Sequence, residues 1–243
     1  MKQTLAWLFM CVMLLTCVGC NGQSAEQGSA AATTELPTVL DTMEYTLYTN
    51  IFYNGTGDDY LGQTITKNGT FSTIRDSFNG VTRYYVWGYN DVTKCCDWQW
   101  EFVPQDGVEL PVNGSLIKMT GVFSKDEAAL DGYWFTDATV EIQSVYQGPN
   151  VDVDMGTMSA TLERVQLTNM QYFPEEYAGK TTRIYARIAS LNSLQHPYYD
   201  GAWEQTITAT DTLPAIGTLV EATGTWSADA VLTDATVEIT TAY

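Results

Sequence analysis

The heptapeptide Thr-Asp-Ala-Thr-Val-Glu-Ile occurs twice in this chain, at residues 136–142 and again at residues 233–239. Upstream of each copy lies a related Leu-Pro…Gly…Thr-Gly run, over residues 110–124 and 213–227. Because the matching segments keep the same order in both halves, they indicate an internal duplication. The duplication predicts a first domain over residues 41–146 and a second, shortened domain over residues 151–243.

Each copy is predicted to consist mostly of β-strand. In the first copy, an alternating run at residues 64–74 and a Tyr/Val/Trp-rich run at residues 82–89 flank Asn79-Gly80. Asn-Gly between two such runs favours a hairpin, because both turn residues take positive φ. Further strands are predicted at residues 100–103, 116–123 and 133–146. A capping-box pattern at residues 41–44 predicts a short helix before the first strand.

Five short strands with a glycine inside the first and the fourth predict a small, strongly bent barrel. Glycine permits the sharp coiling that closure of such a barrel requires. The predicted fold class is therefore mainly β, with two tandem five-stranded OB-like barrels, each preceded by a short helix. An immunoglobulin-like sandwich is the alternative, but it needs about seven strands and a Cys…Trp…Cys pattern that this sequence lacks.

The N-terminal residues 1–20 are typical of a secretory signal. Lys2 is followed by an unbroken apolar run, residues 5–15, which is shorter than the about 20 residues that span a bilayer. Gly19-Cys20 resembles the bacterial lipobox, at which a signal peptidase cuts and the Cys20 thiol receives diacylglycerol. An ordinary secretory signal is the alternative. Residues 21–40 are small and polar, which predicts a flexible tether. We therefore expect a lipoprotein on the extracytoplasmic face of the cell membrane.

The composition excludes several classes of function. The formal net charge is −18 with only 11 basic residues, which argues against binding to nucleic acid. A single histidine rules out sites built from several imidazoles. The chain has no Gly-x-Ser-x-Gly, His-Glu-x-x-His or phosphate-loop motif, so nothing in it indicates an enzyme.

The adjacent thiols Cys95 and Cys96 are the most unusual feature of the predicted mature chain. Together with Asp91, Asp97 and Glu101 they could form a redox site or bind a soft metal ion such as zinc. Two adjacent thiols without histidine cannot complete a tetrahedral zinc site, however. The favoured alternative is that the cysteines are small hydrophobic residues at a strand turn, one of them facing the barrel interior.

Other residues have both a functional and a structural interpretation. Trp98 and Trp100 flank the thiols and are candidates to stack on a ligand, although tryptophan also fills β cores. The repeated Asp137 and Asp234 are predicted to be structural, accepting backbone N–H bonds where the last strand starts. His196 precedes a proline and is expected to be exposed. The acidic pairs at residues 58–59, 152/154 and 175–176 are expected to be solvated.

Residues 91–102, with the pattern Asp-x-Thr-x-Cys-Cys-x4-Glu-Phe, resemble the core of uncharacterised bacterial lipoproteins. These proteins also carry the Tyr-x-Gly-Lys-Thr element that is found here at residues 177–181. A Cys-Cys segment in an OB-like domain is also similar to a family of membrane-associated proteins encoded beside permeases. The resemblance implies an OB-like fold and an extracytoplasmic location, with no settled activity.

Together these features predict a lipid-anchored, non-catalytic binding or accessory protein. Its expected partners are the membrane, through the lipid anchor, and a membrane transporter or a small ligand. Metal or redox handling by Cys95 and Cys96 is the alternative function.

Overall fold

A computed structural model describes residues 47, 49–51, 54–90, 96–129, 132–198 and 201–241 of the chain. The predicted signal, tether and capping box, together with Cys20, Asp91 and Cys95, lie outside the described residues. All described residues belong to one compact unit. No helix within these ranges is both long and apolar enough to cross a membrane.

The first copy forms a closed five-stranded barrel, as predicted. Its strands follow the order β1-β2-β3-β5-β4 around the barrel. All neighbours are antiparallel except β3 and β5, which are parallel. The bounds are β1 Thr64–Asp76, β2 Val81–Tyr89, β3 Asp97–Pro104, β4 Leu116–Lys125 and β5 Tyr133–Ser144. A 3-10 helix, Gly57–Tyr60, precedes β1.

The barrel closes because β1 changes partner halfway along its length. Residues 64–70 of β1 pair with β4, whereas residues 70–76 pair with β2. The change occurs beside Gly69, where a Cβ atom would lie 2.6 Å from the carbonyl oxygen of Trp87. A Cβ at Gly121 in β4 would lie 3.0 Å from the carbonyl oxygen of Thr136. The two glycines therefore permit the close strand approach on which the barrel prediction depended.

The second copy forms a six-stranded sheet with the order β10-β11-β9-β8-β7-β6, and β10 also pairs with β7. The pairings among β7–β11 repeat those among β1–β5, including one parallel pair, β9 with β11. β8 is only 3 residues long and β9 only 6, which accounts for part of the predicted shortening. The bounds are β6 Val153–Asp154, β7 Thr181–Ser190, β8 Ser193–Gln195, β9 Glu204–Ala209, β10 Leu219–Trp226 and β11 Leu232–Ile239.

The repeated heptapeptide forms a bulge in the last strand of each copy. Asp137 and Asp234 both have a φ of 50°, in the left-handed region that Asp tolerates better than most residues. The register of the strand pair shifts at both positions. The structural interpretation of the two aspartates therefore holds, but its proposed mechanism is wrong. Neither carboxylate accepts a backbone N–H bond from any described residue.

A helix, Ala160–Tyr172, connects the two copies. Its N-terminus is capped by Ser159, whose hydroxyl accepts the N–H of Leu162. Leu167 and Met170 pack into the core of the second sheet. Leu162 packs instead on the outer face of β1 and β2, against a cluster of Ile74, Tyr85, Trp87, Tyr89 and Met158. A four-residue helix, Pro174–Tyr177, follows.

Each copy has its own core. The barrel interior holds Phe71, Val86, Trp98, Trp100, Phe102, Ile117, Met119, Phe123, Phe135 and Ala138, with Ile51 from the helical residues 49–51 packed against them. The second core includes Ile184, Ala186, Ile188, Leu194, Trp203, Ile207, Val220, Trp226 and Leu232.

Candidate functional site

The predicted thiol site is only partly described. Cys96 is half-buried and directly precedes β3, and its carbonyl oxygen accepts the Asn90 N–H at 3.0 Å. Asp97 and Glu101 follow on β3, while Cys95 and Asp91 lie outside the described residues.

The two described carboxylates of this site make structural contacts with different parts of the chain. Asp97 Oδ2 accepts the backbone N–H of Thr161 at 3.0 Å and so caps the first turn of the connecting helix. Glu101 accepts a 2.7 Å hydrogen bond from Arg83 Nη1. Within the described ranges, no group of three or more His, Cys, Asp and Glu side chains is placed to hold a metal ion. Cys96, Asp97 and Glu101 therefore do not form a metal site with one another.

Trp98 and Trp100 do not form a ligand-stacking face in this structure. Their exposed fractions are 0% and 1%, and both indoles belong to the barrel core. Trp100 meets Phe135 edge-on, with ring centroids 5.6 Å apart. Since residues alternate between the two faces of a strand, these indoles point inward while Asp97 and Glu101 point outward.

A groove lies between the barrel and the segment that joins the two copies, and the sequence did not predict it. Its volume is about 460 Å³, which falls within the range of about 300–1,000 Å³ typical of small-molecule sites. The barrel contributes residues 110–113 together with Thr73 and Tyr84. The joining segment, residues 146–154, contributes residue 146, residues 148–152 and residue 154. The groove is thus formed by segments far apart in the sequence.

Polar groups on the barrel side of the groove are held in fixed positions. Asn113 Oδ1 accepts both the backbone N–H of Thr73, at 3.0 Å, and its hydroxyl, at 3.1 Å. These two bonds orient the amide. Its Nδ2 group makes no hydrogen bond to any residue that the structure describes, so it can donate to a ligand.

The opposite wall of the groove is held by a buried ion pair. Arg183 Nε donates to Asp154 Oδ1 at 2.8 Å, and Nη2 donates to Oδ2 at 3.1 Å. Arg183 also donates to Glu221 at 3.0 Å and to the Tyr146 hydroxyl at 3.0 Å. Burial acts to lower the pKa of Arg183, but the hydrogen bonds and charge of Asp154 raise it above its ordinary value. The network ties the joining segment to β7 and β10.

Tyr146 completes this wall. Its hydroxyl donates to Asp154 Oδ2 at 3.2 Å. Burial and the charge of Asp154 together raise the pKa of Tyr146 to about 12, so it stays protonated at neutral pH.

The expectation that Asp152 and Asp154 are solvated is wrong for Asp154, whose side chain is buried against Arg183, whereas Asp152 is exposed and hydrogen-bonded as well. Asp152 Oδ2 accepts the backbone N–H of Thr181 at 2.8 Å and its hydroxyl at 2.6 Å. These bonds hold the pKa of Asp152 below its usual value. With Asp154 paired to Arg183, both carboxylates fix the joining segment to β7.

The other two acidic pairs are also partly engaged. Asp58 pairs with Lys125 at 2.9 Å and accepts the Tyr133 hydroxyl at 2.9 Å. Glu176 lies 3.5 Å from Arg75. Both contacts are at the surface, where such ion pairs add little to stability.

His196 is buried, in contrast to the expectation from the sequence. Its exposed fraction is 2%, and its Nδ1 accepts the Tyr198 N–H at 3.2 Å. Its ring meets Trp203 edge-on at 5.9 Å. Burial lowers the pKa of His196 to about 4, so the imidazole is neutral at pH 7.

No protein-family model matches this chain, and no curated protein is significantly similar to it. The resemblance to bacterial lipoproteins therefore rests on the sequence motifs alone.

Proposed function

We propose that this protein is a lipid-anchored, extracytoplasmic binding or accessory protein, non-catalytic, that holds a small neutral ligand rich in hydroxyl groups. The groove between the barrel and the joining segment is the observation that carries this proposal. It combines a sufficient volume with aromatic rings and fixed hydrogen-bonding groups.

The lining of the groove favours a neutral sugar-like molecule. Tyr84 and Tyr146 offer aromatic surface, and Asn113 offers donors that the described residues leave unused. The carboxylates of Asp152 and Asp154 disfavour an anionic ligand. The overall charge of −18 also disfavours an anionic ligand in the groove.

The binding test is a calorimetric titration of the full-length protein with maltose, cellobiose and trehalose. Asn113→Asp keeps the oxygen that accepts from Thr73 but removes the amide donors and adds a negative charge. We expect it to weaken binding at least tenfold, since burying an unpaired polar group of a ligand is costly. The matched control is Asn68→Asp on exposed β1 surface, which should bind as wild type does. Failure of all three sugars to bind at millimolar concentration would refute the proposed ligand class.

We also propose that the two copies are tandem OB-like barrels. The strand order 1-2-3-5-4, with a single parallel pair between the third and fifth strands, supports this for the first copy. The same pairings, with β10 meeting β7, support it for the second.

Membrane attachment through Cys20, next to a transporter or another membrane partner, completes the proposal. The apolar run at residues 5–15, Gly19-Cys20 and the polar segment after them support it. In cells fed with labelled palmitate, the wild-type protein should carry label and sediment with membranes. Cys20→Ser should lose the label, whereas the control Cys17→Ser should keep it. Membrane attachment of the Cys20→Ser protein at wild-type level would contradict acylation at this residue.

A further inference from the structure

A second cavity, separate from the groove, lies between the outer face of β1 and β2 and the connecting helix. Its volume is about 310 Å³, at the lower end of the range for small-molecule sites. Ile74 and Tyr85 line it from the barrel side and Val165 from the helix. Most of its surface is therefore apolar, with a few polar groups at the edge.

An exposed aromatic group lies at the edge of this cavity. Phe78, in the β1–β2 turn, is 67% exposed although it also meets Phe173 edge-on at 4.7 Å. Tyr172, 71% exposed, lies beside it with ring centroids 6.2 Å apart. Two neighbouring exposed aromatic rings extend the apolar surface beyond the cavity.

One of the two arginines in the cavity is fully used by the protein. Arg83 donates to Glu101 at 2.7 Å, to the Ala128 carbonyl oxygen at 2.9 Å and to Asp76 Oδ2 at 3.2 Å. The other oxygen of Asp76 accepts the Phe78 N–H at 3.1 Å. Because Arg83 and Asp76 already hydrogen-bond to other groups of the protein, this ion cluster provides few donors or acceptors for a ligand.

The second arginine, Arg164, is different. It lies on the exposed side of the connecting helix, and its guanidinium makes no hydrogen bond or ion pair with any described residue. Thr168 and Asn169, one turn further along the helix, also line the cavity, but their side chains already donate to the carbonyl oxygens of Arg164 and Arg75. An unpaired guanidinium next to an apolar cavity is unusual in a chain whose net charge is −18.

We propose that this cavity binds a small organic carboxylate with an apolar body. The guanidinium of Arg164 matches the two oxygens of a carboxylate, because its donors form a planar fork. The apolar body of the ligand would cover Ile74, Tyr85 and Val165. This site is independent of the groove, so either proposal can fail without the other.

The test uses 3-phenylpropanoate as the probe, titrated into the full-length protein by calorimetry and by ligand-observed NMR. Wild-type protein should bind it, and Arg164→Gln should weaken binding at least tenfold. Arg164→Lys keeps the positive charge but not the planar fork of donors, so its affinity for the probe should lie between those of wild type and Arg164→Gln. Arg75→Gln removes a positive charge from the neighbouring exposed surface of β1 and is the matched control, with binding expected within twofold of wild type.

Three outcomes would overturn the proposal. The first is equal loss of affinity in Arg164→Gln and Arg75→Gln, which would mean that only general surface charge matters. The second is binding of 3-phenylpropylamine, the probe with the opposite charge, as tightly as the carboxylate. Absence of carboxylate binding at 10-millimolar probe would likewise refute it. Since Arg164 is exposed and its guanidinium makes no hydrogen bond or ion pair with a described residue, circular dichroism of the variants should match that of wild type.

Discussion

Lowering the pH from 7 to 5 is expected to destabilise this protein through its single histidine. His196 is buried against Trp203, and burial holds its pKa at about 4, compared with 6.5 for an exposed imidazole. The charge of Asp97 raises the pKa of His196, and the charge of Arg187 lowers it, as burial does. As the pH falls below 6.5, the unfolded chain takes up a proton that the folded chain refuses until about pH 4.

The size of the effect follows from the two pKa values. One pKa unit corresponds to about 1.4 kcal/mol, so a difference of roughly 2.5 units gives a limit of about 3 kcal/mol below pH 4. Between pH 7 and pH 5 the same linkage gives a loss of about 2 kcal/mol in the free energy of unfolding. The loss starts near pH 6.5 and levels off only below pH 4, where the folded imidazole is protonated as well.

The assay is urea unfolding at half-unit steps from pH 7.5 to pH 4, with wild type and His196→Asn compared. Asparagine removes the titrating ring but can still accept the Tyr198 N–H. The variant should be less stable at pH 7, because a buried ring is lost. Between pH 7 and pH 5, however, its free energy of unfolding should fall by about 2 kcal/mol less than that of wild type. Thr208→Asn, at an exposed position of β9, is the control and should keep the wild-type pH dependence. Parallel pH profiles for wild type and His196→Asn would refute the buried neutral imidazole.

Three further predictions concern the ion pair, the bulge and the thiols. Arg183→Met should lower the free energy of unfolding by about 3–5 kcal/mol in chemical denaturation, because it leaves the buried Asp154 and its neighbour Glu221 without their cation; a loss below about 1 kcal/mol would contradict the network. Asp137→Val should lower the free energy of unfolding by about 1–2 kcal/mol, because a β-branched residue is strained at positive φ. Asp137→Gly should melt within a few degrees of wild type. Equal effects of the two substitutions would argue against strain at the bulge. Elemental analysis of the purified protein should find well under one equivalent of zinc. A full equivalent of zinc that is lost in Cys96→Ser would instead support a metal site at the thiols.

The first barrel could be predicted because its determinants are local in the sequence. Asn79-Gly80 marks the first hairpin, although only Gly80 has a positive φ and the turn spans residues 77–80 instead of the two residues expected. Gly69 and Gly121 mark positions where strands approach closely. The duplication was visible because the same heptapeptide occurs in both copies, where it forms the same bulge. Each of these signals acts within one strand or one turn.

The groove could not be predicted in the same way. Its walls come from residues 110–113 and 146–154, which meet only after the barrel closes. The partner of Asp154 is Arg183, 29 positions away, so the sequence alone makes the carboxylate look solvated.

The placement of the tryptophans could have been inferred more accurately from the alternation of residues in β3. Trp98, Trp100 and Phe102 are two positions apart and so share one face of the strand, and three large apolar residues on one face indicate the core. Their position beside the thiols alone favours the different interpretation that they stack on a ligand. For His196, the following proline predicts an exposed loop, whereas in the structure the ring meets Trp203 edge-on and is buried.

Mapping amide chemical shifts during titration with whichever disaccharide binds in calorimetry shows where on the protein the sugar sits. Binding in the groove should shift the amides of residues 110–113 and 146–152 of the full-length protein, and Asn113→Asp should abolish these shifts. Shifts centred on residues 96–102, or a pattern that Asn113→Asp leaves unchanged, would contradict binding in the groove.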